Sequence, residues 1–420
     1  MRVLSRSVLL LWIVAAGQIV ATGFQDPTTT SSWPGYRGQN RDAIYPGTIR
    51  NSWANVAPMW KKKVGGGRAS FAIADGRAFT IEQRQKNEVV AAYDVMSGQE
   101  LWTSSWPERF SQWMGGGEGP RATPTFADGM VYALGAAGEF RAFEASTGKV
   151  AWRTNILSDA KAENLRWGMA ASPLVVGDAV IVLPGGASGK SIAAYDRRTG
   201  KHLWTSLDDH TAYASPMLVT IGGVQQLLIV SSTRVMGVGM DRHQVLWEFP
   251  WKTDHDANAV QPIVIGDRRV FYSSGYGTGA AVVELTPAGD RFQVRDVWRN
   301  LRMKNRQSSS VFRDGFIYGL DDGILACLDA ATGDLKWKGG RYGHGQLLLV
   351  GDQLLVVTED GDLALVAATP AKLTELAHIP ALNGETWNMP AIADGILLVR
   401  NTTEMAAFDL RPDSRKTHAR

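Results

Sequence analysis

Apolar positions in this chain come in short bursts, each stopped by a turn. In "ATPTFADGMVYALGAAGEFRAFEASTGKVAW" (Ala122 to Trp152) the pattern predicts a first strand over Ala122 to Phe126 and a turn at Asp128-Gly129. A second strand follows over Met130 to Leu134 and a third over Glu139 to Ala145. A turn at Thr147-Gly148 then leads into a fourth strand, Lys149 to Trp152. The first two strands are almost wholly apolar, as expected of strands covered on both faces. Glycine recurs too often, and β-branched residues fill too many gaps, for a helical reading.

The end of this unit is a phrase that returns. "AYDVMSGQELW", "AFEASTGKVAW", "AYDRRTGKHLW" and "CLDAATGDLKW" are variants of one theme, an acidic turn residue, then Thr-Gly or Ser-Gly, then Trp. Its tryptophans are Trp60, Trp102, Trp152, Trp204, Trp247, Trp298 and Trp337. They fall at intervals of about 40 to 50 residues, the length of one four-stranded propeller blade. Two degenerate copies close the series: one places Leu376 at the tryptophan position, the other stops at Leu410 without a last strand. Conversely, "NSWANVAPMWKKKV" is a last strand with no blade before it. Pro58 to Val64 is therefore expected to complete the final blade and remove the ring's open edges. The fold expected is all-β: an eight-bladed propeller of four-stranded antiparallel blades, or seven-bladed if the copy near Leu376 fails. The phrase itself reads as structure, its indoles filling the gaps between blades and donating to neighbouring backbone.

Composition agrees with many short strands: 45 Gly and 15 Trp among 420 residues, with only 20% charged. The formal net charge is +3, and +1 without Arg2 and Arg6, so nucleic acid is not an expected partner. Those two arginines precede an apolar run, Val8 to Ala16, and small residues around Ala21-Thr22-Gly23, the layout of a secretory signal peptide. The run is shorter than the ~20 residues a membrane span needs, and no lipid-bearing cysteine follows it. The single cysteine, Cys327, lies in the apolar "GILACLD" and reads as a buried thiol. The expected organisation is a signal peptide over 1–23, an extension packing on the propeller over 24–52, the propeller over 53–410 and a tail over 411–420.

The repeated Asp-x-x-Thr/Ser-Gly-x-x-x-Trp resembles the repeat of quinoprotein (PQQ-like) β-propellers, from about Trp60 to Asp409. "WPGYRGQNRDA" (Trp33 to Ala43) and "SSGYGTGAAVVEL" are similar to segments of exported bacterial PQQ-like repeat proteins. That family spans pyrroloquinoline-quinone (PQQ) alcohol dehydrogenases and non-enzymatic relatives, among them the scaffold lipoprotein of the outer-membrane β-barrel assembly machinery. The repeat alone does not imply that the quinone binds. The dehydrogenases have vicinal cysteines beside the cofactor and an Asp base with Glu and Asn ligands for calcium. One cysteine cannot form the former, and no set here matches the latter. A Cys-x-x-Cys-His haem site is also missing.

Tight turns would crowd one face of the ring, leaving long connections to carry recognition on the other. In "KTDHDANAV", His255 between Asp254 and Asp256 could be a base or a metal ligand, although a loop held by Asx-type backbone bonds is the stronger reading. Asn258 in the same stretch is a further ligand-binding candidate. Lys304, Asn305 and Arg306 in "RMKNRQ" could meet a carboxylate, phosphate or quinone oxygen, or form a solvated basic loop. Trp113, Trp167 and Tyr276 could stack on a planar ligand or sugar, or pack the loops. Arg121 reads equally as an anion clamp or as the ion-pair partner of Glu118. "PGGASGKS" and "GYGTGA" imitate nucleotide-binding loops, but strands follow where helices are needed.

The expected function is binding or scaffolding in the bacterial periplasm or outside the cell, by a monomer holding an envelope protein or small ligand on its loop face. The alternatives are a PQQ-dependent dehydrogenase of alcohols or sugars, with PQQ its cofactor, and carbohydrate or polymer binding.

Overall fold

The computed structural model describes residues 31–112 and 116–412. The signal peptide expected over 1–23, Trp113 and most of the C-terminal tail lie outside the described residues. The chain forms eight four-stranded antiparallel sheets arranged as blades of a β-propeller. Within each blade the strands run a to d from the centre outward; blade two, for example, is built from Thr125–Ala127, Met130–Leu134, Glu139–Glu144 and Val150–Asn155. The outer strand of blade eight is Pro58–Lys63, which pairs antiparallel with Glu404–Asp409. A short extra strand, Ile44–Tyr45, adds parallel to the inner strand Gln346–Val350 of blade seven.

Every blade carries the same irregularity where its third and fourth strands pair. The register shifts by one residue just before the position of the repeated phrase's Trp: Ala92 faces Trp102 while Tyr93 faces Glu100, which leaves Leu101 bulged out. The same shift occurs in the degenerate seventh blade, where Leu365 faces Ala377 and Val366 faces Glu375. This corrects the sequence reading. Leu376 is the bulged, solvent-facing residue, and Ala377 holds the tryptophan's place, because one extra residue in the strand moves the side chains to the other face.

The indoles lie between blades. Trp60, Trp102, Trp152, Trp298 and Trp337 donate Nε1–H to Val95, Ala145, Arg197, Ala330 and Thr369 carbonyls on the next blade, at 2.8–3.0 Å. In four of these five turns a glycine packs against the incoming ring, as Gly200 does under Trp152; the turn that receives Trp337 has none. Blade four has His243 at that glycine position, and Trp204 stacks on its imidazole at 3.8 Å between centroids. Trp247, facing the elongated hairpin of blade five, bonds Gln226 Oε1 within its own blade at 2.6 Å.

At the hub, side chains just before the inner strands tie successive blades together. Ser70 N–H donates to Thr123 Oγ1, Thr123 N–H to Ser172 Oγ, Ser172 N–H to Ser215 Oγ and Gln261 N–H to Ser309 Oγ, at 2.9–3.0 Å. Ser215 N–H reaches Gln261 Oε1 at 3.3 Å. The N-terminal segment threads through this hub. Trp33 pairs with Ile73 of blade one, and Pro34 accepts from Phe126 of blade two. Buried Arg37 donates to Ser309 and Ser310 carbonyls, and buried Arg41 to those of Ser172, Pro173 and Pro216. Two guanidinium groups thus satisfy inner-strand carbonyls from blades three, four and six, which is why charged side chains sit in the centre of an apolar fold.

Candidate functional site

A cavity of about 360 Å³ opens at the hub on the side of the d–a connections. All eight connections line it: Arg68, Arg121, Trp167, Tyr213, Ala257, Arg306, His344 and Trp387 come from successive ones, and Tyr276 from the b–c turn of blade five. Tyr36 of the N-terminal segment closes its inner end beside buried Arg37. The lining follows a register: counted back from the a–b turn, the same position supplies Arg68, Arg121, Ala170, Ala259, Gln307, His344 and Trp387. The inner strands converge at the hub, so residues immediately before them must face the channel.

Its polar character is one-sided. Three arginines and a histidine line it, and among the described residues no carboxylate does. Each arginine lies over an aromatic ring: Arg68 over Trp387 at 4.2 Å, Arg121 over Phe110 at 4.9 Å, Arg306 over Tyr276 at 5.5 Å. Arg121 donates to the carbonyls of Gly116 and Gly119 at 2.6 Å. Burial, with Arg68 nearby, pulls its pKa down to about 10. Arg68 pairs with Glu385 and Arg306 with Asp322, both acids being about half exposed. Trp167 and Tyr213 meet at 5.6 Å between centroids with a 59° tilt.

Of the residues singled out from sequence, the fold brings Arg121, Trp167, Tyr276 and Arg306 to this cavity. The others lie elsewhere. His255 and Asp256 sit in an exposed single turn, both at positive φ, outside the lining. Asn258 is fully buried, its amide donating to Ser231, Ser232 and Trp251 carbonyls while Oδ1 accepts from Thr253 and Ser274. Asn305 is equally buried, bonded to Leu320 O, Ser273 and Ser310. With both ends of each amide satisfied inside the protein, these asparagines brace loops. Lys304 turns away to Asp321 at 3.2 Å, two residues before the first lining residue of its connection, Arg306. Arg121 is not the partner of Glu118, which pairs with Arg109 at 2.8 Å. Sequence reasoning missed Arg68, Tyr213, His344 and Trp387; for Arg68, His344 and Trp387 the shared register before each a–b turn was the available signal. Both imitation nucleotide loops are b–c turns, between Ala179–Val182 and Ile192–Asp196 and between Arg269–Ser274 and Gly279–Ala288.

Residues 86–339 match the family model described as "Outer membrane protein assembly factor BamB". The chain belongs to that family. It is 22% identical over 358 residues to outer membrane protein assembly factor BamB of Bordetella pertussis, covering 82% of this chain and 84% of that protein. Among solved structures it resembles BamB from Moraxella catarrhalis, at TM-score 0.59 and 14% identity, over 87% of this chain and all of that one (100%). It also resembles quinohemoprotein alcohol dehydrogenase from Comamonas testosteroni, at TM-score 0.65 and 13% identity, over 93% of this chain and 82% of that one. Likeness at such identities establishes the shared propeller; function has to be argued from the site.

The quinone chemistry of the second relative can be tested against the donor set. Among the described residues no three His, Cys, Asp or Glu side chains gather to hold a metal, and none of the lining residues is acidic. The cavity therefore matches anionic groups and, among the described residues, offers a calcium ion no carboxylate beside three arginines, so the residues do not fit a metal–quinone pair.

Proposed function

We propose that the protein is an exported binding propeller of the bacterial envelope, holding a partner on its loop face without chemistry there. The reading is supported by family membership together with one observation: every blade's d–a connection lends a side chain to one cavity mouth. The serine and threonine hydroxyls of the cavity are already engaged, those of Thr123 and Ser215 each accepting a backbone N–H from the neighbouring blade. A Ser or Thr nucleophile needs an adjacent base, and among the described residues no carboxylate lines the cavity to serve as one or to orient His344. An envelope protein is the partner class proposed, a reading supported by the named role of the Bordetella relative, and the chain is proposed to act as a monomer. Export is supported by the N-terminal layout of Arg2, Arg6 and the apolar run from Val8 to Ala16. In this reading residues 1–23 are removed, and 24–52 form an extension of the 53–410 propeller. Among the described residues no helix is long and apolar enough to cross a membrane.

The test is cross-linked capture from an envelope extract of the producing organism, with wild type and Tyr276→Ala side by side. One protein should be retained by wild type and reduced by the loop variant. Repeated capture of nothing, or dye reduction with PQQ, calcium and an alcohol or sugar, would defeat the proposal.

A further inference from the structure

The arginines of the cavity are more than a basic lining. A guanidinium stacked on a ring has its plane fixed while its in-plane N–H edges stay directed outward, the geometry that receives a carboxylate or phosphate through two bonds. The aromatic faces of Trp387 and Tyr276 are thereby used to hold Arg68 and Arg306. The acids that pair with Arg68 and Arg306, Glu385 and Asp322, stand outside the lining. Arg121 has carbonyl oxygens alone as its hydrogen-bond acceptors among the described residues. Desolvation and Arg68 both oppose its charge, which an anion in the cavity would relieve.

Position around the ring adds a second constraint. Arg121 lies on the connection from blade one to blade two, and Arg306 on that from blade five to blade six, half-way round the eight blades. Positive charge therefore faces positive charge across the mouth. A volume of about 360 Å³ is at the small-molecule end of ligand sites, which begin at roughly 300 Å³, and is too tight for a folded segment.

We infer that this cavity is a receptor for a small dianion, a compact molecule with an oxyanion group at each end, one for Arg121 and Arg68 and the other for Arg306. The inference deepens the binding function proposed above and rests on it. The head group is a carboxylate or a phosphate.

Isothermal titration and thermal unfolding at low salt test this with four probes: terephthalate and glucose 1,6-bisphosphate as two-headed anions, benzoate and glucose 6-phosphate as one-headed controls. At least one two-headed probe should bind about tenfold tighter than its control, since the second charge-assisted contact adds free energy of that order. Whichever arm responds names the head group. Arg306→Gln should erase the advantage, bringing the two-headed probe to the level of its control. Arg68→Gln, on the opposite side, gives an independent variant if either fails to fold. Absence of saturable binding by both two-headed probes to wild type overturns the inference, as does an advantage that survives in both variants. If the probes fail while the envelope partner is still captured, the dianion site falls alone; if they bind and no partner is captured, the scaffold reading falls alone.

Discussion

Gly200 lies flat beneath the indole of Trp152 on the preceding blade, so close that a Cβ there would stand 2.6 Å from the ring. Its backbone is also left-handed, with φ of +70°. Two requirements meet in one residue. The turn needs positive φ and the ring needs a flat floor, while Arg197 three residues earlier accepts the indole N–H at 2.9 Å.

Gly200→Ala should therefore cost roughly 2–4 kcal/mol, adding overpacking to left-handed strain. Gly177→Ala, at φ +57° with open space around it, should cost about 1 kcal/mol from backbone strain alone. Trp152→Ala should cost about 3–5 kcal/mol by leaving a cavity between blades. Urea unfolding of the three variants separates the contributions, and equal losses at Gly200 and Gly177 would refute the packing role.

Arg41 holds three inner-strand carbonyls, those of Ser172, Pro173 and Pro216. Arg41→Ala should lower stability by roughly 3–5 kcal/mol, because buried acceptors lose a charged donor. Arg41→Lys should recover little, since one ammonium cannot span two blades as the guanidinium fork does. Thermal unfolding of both variants decides it; a lysine variant as stable as wild type contradicts the account.

Glu88 is buried in the first blade, with one oxygen accepting from Ala136 N at 2.8 Å and the other without a partner. Burial raises its pKa from 4.5 to about 7, with Glu108 and Glu139 adding to the effect. The folded state holds this proton more tightly than the unfolded chain does. Its contribution is thus full below about pH 4.5 and is lost as pH rises through about 7, at most ~3 kcal/mol in all. Stability of Glu88→Gln across that window should be flatter than wild type. An unchanged slope would show that other groups set the pH dependence.

Cys327 is fully buried between strands, and burial pushes its thiol up to about 12. A thiol reagent at pH 8 should label it only upon unfolding, with native labelling at least 100-fold slower, on the order of the population of opened states. Rapid native labelling would place the residue at the surface.

The blade architecture was legible in the chain because its determinants are local. Asp-Gly and Thr-Gly turns, apolar inner strands and the spacing of the tryptophans are each set within one blade, and each blade solves the same packing problem. The long connections were legible too, since Arg121, Trp167, Tyr276 and Arg306, all picked out from them, meet at the hub. The errors came where one residue of phase matters. Leu376 and Ala377 differ by a bulge that no hydrophobicity pattern reveals, and Lys304 and Asn305 point away from the cavity that Arg306 reaches.

What the chain settles residue by residue is the blade: short-range turns and burial choose it wherever the phrase recurs. Which side chains share a cavity depends on closing the ring, which sets Arg68 over Trp387, more than three hundred positions away in sequence, and Arg306 across from Arg121. Contacts of that span depend on the summed angle of eight blades around the hub, a quantity written in no single segment.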